Sequence, residues 1–413
     1  MKRLFTKAAL LLGLLLPGIP SIGQGYDRTL RLDCIFSGDS RSASISVSKM
    51  HSINGWAGRR VNMDRALLEG NGRITLLGGG SGDTLYVNTF STLFQEWQST
   101  EEATRCQKAF ENVFLVPMPK EKAVVRIELF DSRKKVSASL DYPVDPDDIL
   151  IRPFTGEPLP HEYIFRSGDS SEKIDIAIIG EGYTADEKDL FMEDARKAAD
   201  SIWSHEPFSS MKDRFNIVAV PTVSADSGVS VPRKGEWKNT ALGSHFDTFY
   251  SDRYLTTLNL FDLHDCLEGI PYEHIIILTN TDTYGGGGIY NSYVLVAAHH
   301  RFTSPVVVHE FGHSFAGLAD EYYYDDQYEN MYHPDVEPWE PNITTLNDGG
   351  AKWKALIGKE GVGYYEGGGY MSKGVWRPSD DCRMKTNTYP KFCPVCEKAV
   401  RDIIDYQTVG SSR

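Results

Sequence analysis

The chain has 413 residues, 41% of them hydrophobic and 24% charged, with a formal net charge of −14. That length exceeds one ordinary core and predicts two domains. The acidic balance, with no basic run, excludes a nucleic-acid or anionic-membrane surface as the basis of function, and no stretch approaches the twenty apolar residues that a membrane helix needs.

Residues 1–23 have the layout of a secretory signal. Lys2, Arg3 and Lys7 precede an apolar run from Ala8 to Pro17, and Ser21-Ile22-Gly23 offers small residues before a cut ahead of Gln24. An exported protein (periplasmic, cell-surface or extracellular) is the expectation, with no membrane span in the mature chain. Six cysteines fit an oxidising compartment. Cys34 and Cys106 could pair early. Among Cys266, Cys382, Cys393 and Cys396 disulfides are expected, although Cys393-Pro394-Val395-Cys396 also has the spacing of a metal or redox site.

Residues 24–144 alternate in strand-like fashion. Leu30, Leu32, Cys34 and Phe36 share one face, as do Ala43, Ile45 and Val47, and later Val125, Ile127 and Leu129. Only Phe94 to Phe110 hints at helix. An all-β sandwich without a catalytic constellation is expected here. Asp145-Pro146-Asp147-Asp148, followed by Pro153, Pro158 and Pro160, marks 145–172 as a linker.

From 173 to 413 the pattern turns to strand and helix in alternation. Ile174 to Ile179 reads as a buried strand, and Thr184 with Glu187 as a capping box for a helix reaching about Trp203. Strands follow at Asn216–Val220 and His274–Thr279, giving an α/β domain. Gly285 to Gly288 reads as a turn into an edge strand, Tyr293, Val294, Leu295 and Val296, which could pair with an extended peptide. A phosphate loop is the poorer reading because no Gly-Lys-Ser/Thr follows.

His309-Glu310-Phe311-Gly312-His313 is H-E-x-x-H, the pattern by which one helix presents two imidazoles to zinc. Residues four apart share a helix face, so His309 and His313 can reach one cation, while Glu310 can touch a metal-bound water. Ser304 is expected as N-cap and Pro305 as first helical residue. Val307, Phe311 and Phe315 form a core stripe, and Gly317 gives an exit after which Asp320 can return toward the metal. Tyr322 to Gly369 lacks periodicity and suggests loops around a cleft, and a last amphipathic helix is expected at about Pro394 to Tyr406.

With HEFGHSFAGLADEY (309–322), CRM (382–384) and FCPVC (392–396), the chain resembles the bacterial IgA-peptidase family of secreted metallopeptidases, themselves similar to metzincins. The resemblance implies a zinc endopeptidase with His309 and His313 as ligands and Glu310 as general base, following a β-rich first domain. Metzincins carry H-E-x-x-H-x-x-G-x-x-H/D; here Ala316 stands at the glycine and Gly-Leu-Ala-Asp arrives one residue late. Asp320 is then the third ligand, with Glu321 as rival and His333 more distant. Met384, or secondarily Met371, is the candidate for the methionine turn below the metal, and Tyr389 a candidate oxyanion stabiliser. The expected reaction is hydrolysis of an extended extracellular polypeptide by a zinc-bound water activated by Glu310. An exported hydrolase of glycopeptide or cell-wall peptide, and a non-enzymatic binding protein with a structural metal, are the alternatives.

Overall fold

The computed structural model describes residues 26–324, 331–346 and 352–410; the expected export segment lies outside them. Alternation of apolar residues builds the first part. In β1 (Arg28–Gly38), Leu30, Leu32, Cys34 and Phe36 are fully buried, and β2 (Ala43–Asn54) pairs antiparallel to it. Next come β3 (Gly72–Gly78), β4 (Thr84–Phe90), the short helix α1 (Leu93–Gln98), β5 (Lys108–Pro117), β6 (Ala123–Phe130) and β7 (Val136–Val144). The stretch from Phe94 to Phe110 is therefore not one helix. Thr92 caps α1, Phe94 and Trp97 go into the core, and the two-residue period resumes at β5.

Two four-stranded sheets result, β5-β1-β2-β8 and β4-β3-β6-β7, where β8 is Arg152–Pro153. They share one apolar core, and Phe36 of β1 meets Phe90 of β4 with ring centroids 6.3 Å apart. The proline-rich segment 145–172 is docked at both ends. β8 lies parallel to β2, and β9 (Glu162–Arg166) joins the next sheet. Both strands are edges, where a missing proline N–H does no harm.

The second part centres on a six-stranded sheet of order β13-β14-β12-β10-β11-β9. Its members are β10 (Ile174–Glu181), β11 (Phe215–Val220), β12 (His274–Thr279), β13 (Gly286–Gly288) and β14 (Val294–Ala297), with β9. Helix α2 (Lys188–Trp203) follows the Thr184–Glu187 capping box, and α3 (Leu260–Cys266) precedes β12. The four inner strands are parallel and fully buried, as expected of a sheet covered on both faces. Ile174, Ile176 and Ile178 pack with α2, α4 (Thr303–Ala316) and α5 (Pro394–Thr408), while Ala177 and Ile179 join the core shared with the first part. Arg31, fully buried, ties the parts together: it pairs with Asp33 at 2.7 Å and Asp265 at 2.7 Å and donates to the Phe261 carbonyl.

One expectation is corrected here. Val294, Leu295 and Val296 do not form the sheet edge, because β14 lies between β12 and β13, and Tyr293 just before it is buried. The edge is the glycine strand β13, antiparallel to β14, and Tyr254 already bridges it at Gly286. Glycine is the residue that fits, since a Cβ on Gly288 would collide with the Glu310 carbonyl of α4. After α4, β15 (Tyr323–Tyr324), β16 (Tyr365–Gly368) and β17 (Tyr370–Arg377) form a small sheet of order β15-β17-β16 beside the motif helix.

Candidate active site

Helix α4 begins at Thr303, two residues before the expected start. Its Oγ1 bonds the Ala297 and His300 carbonyls, so Pro305 falls at the third helical position, where an amide N–H still lacks an intrahelical acceptor. Val307, Phe311 and Phe315 are buried, and the Phe311 and Phe315 rings pack against Phe208. Gly317 takes the left-handed conformation at φ 58° and closes the helix onto the His313 carbonyl. The chain then doubles back and brings Asp320 over the same helix face.

The result is a triangle of potential ligand atoms. His309 Nε2 lies 3.1 Å from His313 Nε2 and 2.9 Å from Asp320 Oδ1, and His313 Nε2 lies 3.2 Å from that oxygen. Ligands bound tetrahedrally at about 2.0–2.1 Å stand roughly 3.3 Å apart, so the spacing suits a zinc-sized ion. The opposite ring nitrogens are committed: His309 Nδ1 donates to the Arg383 carbonyl at 3.0 Å, and His313 Nδ1 to that of Leu318. This turns both Nε2 atoms inward, where a bound cation would take the place of any proton they carry. The His309 and His313 side chains retain 12% and 16% exposure, so the pair is not fully enclosed.

Electrostatics agree with a cation-seeking site. Burial alone would lower the pKa of His313, but the Asp320 carboxylate overrides it and lifts the pKa to about 9. Burial likewise opposes the charge on Asp320, and His313 and His309 hold its pKa well below the usual carboxylate range. Glu310 sits half-buried beside the pair. Burial pushes its pKa up, against the pull of His309 and His313. A carboxylate tuned upward in this way can both take and return a proton.

The floor and walls come from distant segments. Met384 is fully buried below the helix, its Sδ 2.7 Å from where a Cβ on Gly312 would stand. Tyr370 donates its hydroxyl to Asp320 Oδ2, and Tyr322 stacks 6.5 Å from the His309 ring. From the first part, Glu96 of α1 accepts from the Tyr254 hydroxyl at 2.6 Å, within electrostatic reach of Asp320 and His313. Sequence reasoning passed over Tyr370 and Glu96; the Gly367-Gly368-Gly369 run ahead of Tyr370 was the one available signal.

Other candidates fall elsewhere. Glu321 turns away from the imidazoles into a cysteine cluster, with its Oε1 3.1 Å from Cys396 Sγ. His333 bonds Ser132 of the first part at 3.0 Å, and Met371 accepts the Tyr332 N–H in a separate apolar cluster. Tyr389 contacts Thr386 through its backbone N–H, not the imidazole–carboxylate triangle. None of the expected disulfides forms: Cys34 lies in the sandwich core, Cys106 is exposed, and Cys266, on α3, stands apart from the other three late cysteines. A cavity of about 320 Å³ between the two parts, lined by Trp56, Arg59, Tyr272 and Tyr406, does not include the triangle.

A family model described as IgA Peptidase M64 matches residues 163–362 and 359–404, and one described as Peptidase M64 N-terminus matches 24–141. None of the curated proteins matches the chain. The first model covers more than half of the sequence and contains every residue of the triangle, so the chain belongs to the IgA peptidase M64 family of metallopeptidases.

Proposed function

We propose that the chain is an exported zinc endopeptidase with a metzincin-like catalytic domain, acting on an extended polypeptide outside the cytoplasm. The observation that carries this reading is the convergence of two imidazole Nε2 atoms and one carboxylate oxygen within 3.2 Å, with both Nδ1 atoms tied to carbonyls. Three nitrogen and oxygen donors, with the imidazoles still partly exposed, suit a catalytic rather than a structural zinc. His309, His313 and Asp320 would hold the ion. When bound, zinc supplies Lewis acidity toward a peptide carbonyl and lowers the pKa of water beside it.

The chain's own groups do the rest. Glu310 takes a proton from the attacking water at its carboxylate and returns it to the leaving amide nitrogen. Tyr370 holds Asp320 by its second oxygen, leaving Oδ1 aimed at the imidazoles. Met384 supplies a soft apolar floor below Gly312 in the role of a methionine turn. Export rests on the basic and apolar layout of residues 1–23.

The test is metal analysis of the purified protein together with digestion of a broad set of unfolded proteins and peptides. Chelator-sensitive cleavage in the wild type, and its loss in Glu310→Gln with metal content retained, is the expected result. Equal cleavage by Glu310→Gln, or activity indifferent to chelators, would overturn the reading. Cleavage confined to glycopeptides or cell-wall peptides would keep the metal chemistry and replace the substrate.

A further inference from the structure

Glu321, Cys382, Cys393 and Cys396 come from three separate segments and meet in one fully enclosed spot. Their ligand atoms all lie within 4.8 Å of one another, and relative exposures are 0%, 0%, 2% and 0%. Cys382 Sγ stands 3.8 Å from Cys396 Sγ, and Cys396 Sγ 3.1 Å from Glu321 Oε1. Thiolates bound tetrahedrally at about 2.3 Å stand roughly 3.8 Å apart, the separation seen. Glu321 Oε1 also accepts from Asn342 at 3.0 Å, while its Oε2 is buried with no hydrogen-bond partner among the described residues. A buried carboxylate oxygen left in that state is costly unless a cation faces it.

We propose that these four side chains form a second metal centre, a closed zinc site of three cysteines and one glutamate, separate from the imidazole triangle. A disulfide is the weaker account, since joining any two of the sulfurs leaves the third thiol and the Glu321 oxygen unsatisfied. On binding, the three thiols lose their protons to solvent and the four anionic ligands with Zn²⁺ leave a net charge of −2. The surroundings can carry it. Cys393 occupies the N-cap position of helix α5 and Cys396 lies in its first turn, where the helix dipole favours anions. The Cys393 N–H donates to Cys382 Sγ at 3.2 Å, and buried Arg377 and Arg383 lie within electrostatic reach of Glu321 and Cys382.

The centre would brace the catalytic one. Glu321 follows Asp320, and its N–H bonds the Met384 carbonyl at 2.8 Å. Cys382 is followed by Arg383, whose carbonyl orients His309. A metal gripping Glu321 and Cys382 therefore fixes both chain segments that aim the triangle. The site is structural because its four donors fill the tetrahedron and no side is exposed.

The full chain is purified without chelator, loaded with zinc alone and dialysed. Two zinc ions per chain are expected, one lost in the His309→Ala/His313→Ala double variant and the other in Cys393→Ser. X-ray absorption of the double variant should show zinc with mainly sulfur neighbours at about 2.3 Å. If Cys393→Ser does not fold, the wild-type absorption spectrum decides: mixed sulfur and nitrogen neighbours are expected. A stoichiometry of one with no sulfur neighbour, or a disulfide among Cys382, Cys393 and Cys396 found by mass spectrometry of unreduced protein, would overturn the proposal. Because the readout is metal and not cleavage, the proposal can fail while the peptidase reading stands, and the reverse.

Discussion

Asp320 and Glu321 are consecutive in the chain, yet their carboxylates enter different clusters: Asp320 Oδ1 lies 2.9 Å from His309 Nε2, and Glu321 Oε1 lies 3.1 Å from Cys396 Sγ. The backbone between them is pinned from both sides, by the Ala319 N–H on Asn342 Oδ1 at 2.7 Å and by the Glu321 N–H on the Met384 carbonyl. Exchange of the two roles would require breaking both bonds.

This separation predicts different outcomes for two conservative changes. Asp320→Asn should weaken zinc binding at the imidazole pair by more than the roughly 10–100-fold typical of groups that only orient a ligand. Glu321→Gln should leave His309 and His313 competent to bind metal. Competition against a chromophoric chelator at pH 7.5 measures both. Intact affinity in Asp320→Asn, with loss at the imidazole pair in Glu321→Gln, would reverse the assignment of the third ligand.

Tyr370→Phe removes one hydroxyl from Asp320 Oδ2 and little volume. A loss of about 10–100-fold in metal affinity or kcat is expected, with unfolding free energy nearly unchanged, because the hydroxyl acts by orienting a ligand. Substrate KM should stay within a few-fold. A variant with wild-type affinity and turnover would remove Tyr370 from the site.

Much of this was legible in the chain because the signals are local. The four-residue spacing of His309 and His313, the stripe of Val307, Phe311 and Phe315, the Gly317 exit and the Thr184–Glu187 box are each set by neighbours on one helix. The inner strands were equally plain, since burial on both faces makes them continuous apolar runs. What was hidden depends on distant parts meeting. Tyr370 reaches Asp320 from fifty residues downstream, and the glycine run before it does not say what its hydroxyl will meet. The cysteines were grouped by sequence proximity as four, while the fold keeps three, leaves Cys266 on α3 and adds Glu321, which the sequence offered only as a rival to Asp320 at the other centre. The edge strand was misplaced because three glycines have weak strand propensity; close approach to α4 at Gly286 and Gly288, and to Tyr254 at Gly287, selects them instead.

That close approach gives the next prediction. A Cβ on Gly288 would press on the Glu310 carbonyl, backbone against backbone, where no rotamer change gives relief. Gly288→Ala should cost about 1–3 kcal/mol of stability and lower turnover by displacing Glu310. Gly80→Ala, at a turn where the added methyl meets none of the described residues within 4 Å, should change stability by less than about 0.5 kcal/mol. Urea unfolding of the two variants beside wild type checks the difference, and equal stability of both would mean that α4 is not held against β13 as described.

The pH dependence of stability should carry a separable contribution from His274. Its ring is buried at the start of β12, 4.7 Å from Phe315 and bonded to Gln407, and its Nδ1 has no hydrogen-bond partner among the described residues. Burial pushes its pKa down to about 4 from an ordinary 6.5. Between those values the unfolded chain binds a proton that the folded chain refuses, so stability falls as pH drops from 6.5 to 4. Asp175 on β10 works in the opposite sense. Burial raises its pKa to about 6, so the folded chain keeps a proton that the unfolded one has lost, and stability falls as pH rises from 3.8 to 6. The two slopes oppose each other in the wild type. His274→Phe should therefore shift the slope downward by up to about 1.4 kcal/mol per pH unit between pH 4.5 and 6, and Asp175→Asn should shift it upward. Denaturant unfolding at pH 4.5, 5.5, 6.5 and 7.5 reads both, and parallel curves for His274→Phe and wild type would show that the imidazole titrates normally in the folded chain.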